Sequence, residues 1–165
     1  MAEDQTPQAG EAPQADAPPP GIRILAQYVR DASFENPKAP QSLLGDISAL
    51  KIERQVEINV RGREDGLFEV DLKLAATASR ELETAFHAEV VYGGLFGIAG
   101  VPPEELEAVL AVDCPRFLFP FARRLISDLT AEGGFPPLRI DPIDFGGIYM
   151  QRRAEAEALA ASENA

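Results

Sequence analysis

His87 is the only histidine of the 165-residue chain, and Glu89, two positions on, falls on the same side of any extended strand that contains both. This is the one place where a general base and an orienting carboxylate stand together. No serine, cysteine or second histidine stands near them in sequence to be activated, so the pair reads as an ordinary surface contact. Structural zinc takes about four Cys or His ligands, and the chain offers one of each. No loop shows the carboxylate spacing of a Mg or Ca site. Gly93, Gly94, Gly97 and Gly100 match neither GxGxxG nor a Walker-type loop. Cys114, followed by Pro115 among apolar neighbours, reads as a small buried hydrophobe. The expectation is a protein without catalytic residues, cofactor or metal.

What the sequence does offer is apolar surface. Leu95, Phe96 and Ile98, threaded between glycines, are followed by Phe117, Phe119, Phe121 and Phe135. One helix face cannot bury Phe117, Phe119 and Phe121 together, because residues two apart point in different directions. The surplus becomes an oligomer interface or a ligand groove.

The elements that position these residues follow from periodicity. Ile22, Ile24, Ala26 and Tyr28 open a first strand. Leu50, Ile52, Val56, Ile58 and Val60 alternate with polar residues up to Arg61. After a turn at Gly62 to Gly66, Phe68, Val70, Leu72, Leu74 and Ala76 form the hairpin partner. A second turn near Arg80 to Glu83 leads to a strand over Thr84 to Tyr92, in which Phe86, Ala88, Val90 and Tyr92 share one side and Ala85, His87, Glu89 and Val91 the other. From Gly93 to Gly100 the spacing predicts a glycine-rich apolar loop. Pro102, Pro103, Glu104 and Glu105 start a short helix. The main helix carries Phe117, Phe121, Leu125 and Leu129 as its packing stripe and stops at Gly133 and Gly134. A last helix begins near Asp144. The predicted class is α+β, a four-stranded antiparallel sheet with helices on one face. Residues 1–20 read as a disordered acidic tail rich in Pro and Ala, residues 21–152 as the domain, and residues 153–165 as a flexible end.

Composition bounds the function. Asp plus Glu number 27 against 15 Lys plus Arg, a net charge of -12, which repels nucleic acid and attracts basic polypeptide surfaces. A hydrophobic content of 45% suits one globular domain. A single cysteine allows no internal disulfide. No run nears the roughly 18 apolar residues of a membrane span, and the N-terminus lacks the layout of a signal peptide. Cytoplasmic localisation without membrane insertion is the expectation.

Three blocks in order, YVRDASFENPKAP (Tyr28 to Pro40), ETAFHAEVVYGGLFGIAG (Glu83 to Gly100) and DCPRFLFPFARRLISDLTAEGGFPPLRIDPIDFGGIYMQR (from Asp113), resemble SecB, the bacterial protein-export chaperone family. The resemblance implies a homotetramer, a dimer of dimers, whose grooves hold unfolded preproteins without ATP before delivery to the translocation ATPase SecA. It implies that Asp31, Glu35, His87 and Glu89 form the patch that contacts SecA, although family members commonly carry an aliphatic residue where His87 stands. It implies that Ala88, Val90 and Tyr92 face the interface between dimers. Leu95, Phe96, Ile98, Phe117, Phe119, Phe121 and Phe135 are the expected groove residues. Two other readings are a SecB-like chaperone dedicated to a single partner, such as a toxin and antitoxin pair, and an α+β enzyme with a small-molecule pocket. The enzyme would need polar groups converging in its pocket, and the helix and loop segments supply little besides Asp113, Arg116 and Arg123.

Overall fold

A computed structural model describes residues 21–164; the predicted acidic tail at 1–20 lies outside them. Four antiparallel strands, β1 (Gly21–Glu35), β2 (Lys51–Gly62), β3 (Phe68–Arg80) and β4 (Glu83–Ala99), form one sheet in the order β1-β4-β3-β2. Three helices follow: α1 (Pro103–Ala108), α2 (Cys114–Glu132) and α3 (Phe145–Glu163). The α+β class is as predicted, with α2 packed against β4, β3 and β1 on one side of the sheet.

Alternation in β3 decides which side that is. Val70, Leu72, Leu74, Ala76 and Ala78 have no exposed surface. In register with them on β4 stand Gly94, Tyr92, Val90, Ala88 and Phe86, so this row lies under the helices. The intervening Glu69, Asp71, Lys73, Ala75 and Thr77 turn to the opposite face.

The helical stripe that fills the core is offset by one residue from the predicted one. Cys114, Leu118, Ala122, Ile126 and Thr130, four apart, are all fully buried, whereas Phe117 and Phe121 are 46% and 49% exposed. Small Ala122 lets the helix approach the sheet, and the bulkier phenylalanines sit on its flank. Between α1 and α2 the helix widens into a π turn over Val109–Asp113. Pro115, just beyond it, lacks an N–H and its ring would collide with an ordinary α-helical carbonyl one turn back. At the far end the Thr130 hydroxyl donates to the carbonyl of Ile126 at 3.0 Å and accepts from the Leu138 N–H at 2.9 Å, tying the proline-rich connection to the helix.

The predicted loop at Gly93 to Gly100 is strand. β4 runs unbroken to Ala99, and its glycines make room for side chains from both sides. A Cβ on Gly94 would lie 2.5 Å from the Phe96 ring and 3.0 Å from Leu118; one on Gly93 would lie 2.5 Å from the Tyr28 ring and 2.6 Å from Asp71. Helix α3 also continues where a flexible end at 153–165 was expected. Its Ala-, Glu- and Arg-rich sequence has high helix propensity, and it remains helical to Glu163 although every residue from Met150 onward is exposed.

Candidate functional site

Two surfaces on opposite sides of the sheet stand out. On the helix side, the connection between β1 and β2, the start of β2, the start of β4 and the segment after α2 enclose an apolar cleft lined by Ile47, Leu50, Ile52, Phe86, Phe135, Pro136, Pro137 and Leu138. An aromatic cluster forms its floor: the Phe86 and Phe135 rings lie 4.8 Å apart, and Phe34 stacks on Phe86 at 5.5 Å. Phe86 and Phe135 are buried and Phe34 partly so, while Ile47 at the rim of the cleft is 39% exposed. The Arg80 guanidinium donates to the Asp46 carbonyl at 2.9 Å and so anchors the rim. Asp46 accepts from Ser48, which holds its carboxyl below the usual carboxylate range and fixes the turn at Ile47.

Of the predicted groove residues, only Phe135 belongs to this cleft. Phe96 is fully buried and Phe119 nearly so, the latter edge-on to Phe145 at 6.1 Å. Both are core, and the predicted groove role fails for them because no approaching chain reaches their rings. Phe121 stacks on Tyr92 at 5.6 Å and lines a second hollow with Val29, Pro120 and Leu125, edged by the charged Arg124 and Asp128. Ile98 pairs with Ile22 on the helix side, and Leu95 pairs with Ala26 and Glu69 on the other side. The predicted set thus divides among core, flank and both faces. Ile47, Leu50, Ile52, Phe86, Pro136, Pro137 and Leu138 were missed, since three separate stretches of chain supply them and no local pattern joins those stretches.

Among the described residues no helix covers the opposite face. Register places three rows across it: Glu35, His87, Thr77 and Glu53; Ser33, Glu89, Ala75 and Gln55; Asp31, Val91, Lys73 and Glu57. Asp31, Glu35, His87 and Glu89 therefore come together on one exposed surface. Lys73 offsets one of the five carboxylates in these rows and leaves the patch strongly acidic. Lys73 Nζ lies 3.4 Å from Glu89, and His87 Nε2 lies 3.6 Å from the other oxygen of Glu89. The far ring nitrogen of His87, Nδ1, meets the Thr77 hydroxyl at 2.8 Å.

Beyond this patch the same face carries Asp71, whose side chain is 4% exposed. Its Oδ2 accepts from Arg30 and Arg61, each at 2.9 Å. The pair pins β1 and β2 to β3 across the bare Cα of Gly93, and it holds the Arg30 guanidinium above its ordinary value. The predicted interface residues Ala88 and Val90 lie on neither open surface. Both are fully buried beneath the chain's own helices, and Tyr92 is stacked under Phe121, so a contact between subunits through Ala88 or Val90 would require opening the core.

Sequence comparison fits this architecture. The family model described as preprotein translocase subunit SecB matches residues 14–156. The chain belongs to the SecB family. The protein-export protein SecB of Caulobacter vibrioides is 62% identical over 157 residues, covering 95% of this chain and 93% of that one. The protein of the same name from Parvibaculum lavamentivorans is 48% identical over 155 residues, covering 94% and 88%. Among solved structures, a SecB-like chaperone of Mycobacterium tuberculosis in complex with an antitoxin peptide superposes with a TM-score of 0.60 at 20% identity, covering 74% of this chain and 91% of that one, and so shares the fold. SecB membership sets the chain among the chaperones of preprotein export. Among the described residues no helix is long and apolar enough to cross a membrane.

Proposed function

We propose that this SecB holds unfolded preproteins in the apolar cleft and docks on SecA through the opposite, acidic face. The carrying observation is the cleft itself: all eight lining residues are apolar and none is titratable. Such a wall favours extended apolar and aromatic segments over a reactive small molecule, and supports a role as a binding protein rather than an enzyme. A cleft that engages the unfolded client and not the folded one keeps the client unfolded by mass action, without ATP. Each contact contributes about 1 kcal/mol, and several clefts on one homotetramer, a dimer of dimers, sum through effective concentration.

The acidic face supports the second half of the reading. Asp31, Glu35 and Glu89, with His87 between them, lie on the side of the sheet away from the cleft, so partner docking and client binding need not compete for one surface. The site of action is the cytoplasm. The mycobacterial relative was solved with an antitoxin peptide, but its low identity carries only the fold, and the preprotein reading rests on the close relatives.

Native mass spectrometry of the protein, alone and with a chemically unfolded outer-membrane precursor, tests this. The expected result is a tetramer that gains one client chain without nucleotide. A monomer that ignores the unfolded chain overturns the reading.

A further inference from the structure

The acidic face carries the chain's one histidine. His87 is held from two sides: Thr77 on β3 fixes Nδ1 at 2.8 Å, which aims Nε2 at Glu89, 3.6 Å away. Its side chain is 36% exposed, so a proton reaches it from solvent without unfolding. Among the described residues, register identifies the charged groups on this face around it: Glu35 opposite on β1, Glu53 beyond Thr77 on β2, Lys51 one row away on β2, Glu89 on its own strand, and Lys73 two rows away on β3, paired to Glu89. The helices lie behind the sheet and contribute none.

We propose that His87 is a proton-operated regulator of docking on the acidic face, an inference that rests on the SecA reading above. Histidine is the side chain whose ordinary titration falls between about pH 5 and 8. With the ring neutral, the carboxylates of Asp31, Glu35 and Glu89 all face a basic partner surface, and only Lys73 competes for Glu89. With the ring protonated, the Nε2–H donates toward Glu89 while Nδ1–H donates to the Thr77 hydroxyl. That hydroxyl serves as donor or acceptor, so the arrangement survives the change of charge. The patch then loses one negative charge, and Glu89 is held by cations on both sides. Docking on a basic surface weakens as pH falls.

The test is the affinity of the full-length protein for purified SecA, measured by biolayer interferometry at pH 7.5, 6.5 and 5.5 and low ionic strength. His87→Leu and His87→Gln are run against the same SecA, so that titration of SecA itself cancels in the ratio. One charge removed a few ångströms from a half-solvated contact predicts wild-type affinity falling on the order of three- to tenfold relative to the variants between pH 7.5 and 5.5. A ratio constant with pH overturns the role of His87 while leaving the docking surface in place. Absence of SecA binding at every pH overturns the docking reading itself. A second readout needs no partner: as the sole histidine, His87 gives one set of imidazole signals in proton–carbon NMR, and Glu89→Gln should move their titration to lower pH. An unmoved titration overturns the coupling.

Discussion

Val90 and Val91 are adjacent in β4 and chemically identical, yet they face opposite sides of the sheet, which makes them an internal control for the whole architecture. Val90 is fully buried against Leu74 and α2; Val91 lies on the open face between Asp31 and Lys73. Val90→Ala removes two methyl groups from the core, about 1.6 kcal/mol of transfer free energy, and the cavity left behind raises the total to about 2–3 kcal/mol. Val91→Ala loses the same strand propensity but little burial, and should cost less than about 1 kcal/mol. Urea unfolding followed by far-UV circular dichroism, at one fixed protomer concentration because association contributes to apparent stability, measures both. Equal losses, or a larger loss at Val91, would refute the assignment of faces. So would a Val90→Ala protein of undiminished stability whose only defect is dissociation into smaller oligomers, since that is the behaviour of an interface residue.

Other predictions follow from the two surfaces and the core. Ile47→Asp places a charge at the exposed rim of the apolar cleft; binding of an unfolded precursor, measured by fluorescence anisotropy, should weaken at least tenfold while the melting temperature stays within a few degrees. Asp71→Asn leaves Arg30 and Arg61 without their shared carboxylate and should cost about 2 kcal/mol in urea unfolding, the worth of hydrogen bonds to a charged group. Burial, reinforced by Asp113, pushes the Cys114 thiol from 9.0 up to about 12. The native state therefore keeps a proton that the unfolded chain releases, and this thiol's contribution is complete below about pH 9 and lost as pH rises from there toward 12. At pH 8 a thiol reagent should leave Cys114 unlabelled until urea unfolds the chain; rapid labelling of the native protein would contradict its burial.

The sheet was legible because alternation in β2, β3 and most of β4 is regular, and because short turns leave no room for crossover helices. The four acidic-face positions came from the resemblance to SecB and not from periodicity: alternation sets His87 and Glu89 on one side of β4, but only the strand register places Glu35 opposite His87. Three features escaped the period-two and period-four patterns. Glycines were read as loop from Gly93 onward, whereas the bare Cα atoms of Gly93 and Gly94 admit Tyr28 and Asp71 on one side and Phe96 and Leu118 on the other. The stripe of α2 was assigned to the largest side chains, but Ala122 and Thr130, small enough for close approach, define the buried line, and Phe117 and Phe121 flank it. The cleft is built from residues far apart in sequence, so the many phenylalanines near Phe119 drew the prediction toward core rings and away from Ile47 and Leu50.

The two surfaces differ in kind as well as in location. Pro136 and Pro137 bring no backbone N–H to the cleft wall, and its other lining side chains carry no polar atom, so a client that enters finds apolar area and few directional hydrogen bonds. Recognition of that sort depends on how much apolar and aromatic surface a segment carries and hardly on its order of residues. On the proposed reading the acidic face works by the opposite means: charges fixed in register on four hydrogen-bonded strands, with Lys73 and His87 restraining Glu89 and Thr77 restraining His87, discriminate by complementarity and by the sign of the partner. A single four-stranded sheet would keep the two proposed functions apart because alternate residues of one strand lie on opposite faces, Phe86 in the cleft and His87 on the face behind it. Substitutions one residue apart in β4 should therefore fail differently, the even positions in client binding or stability and the odd positions in docking.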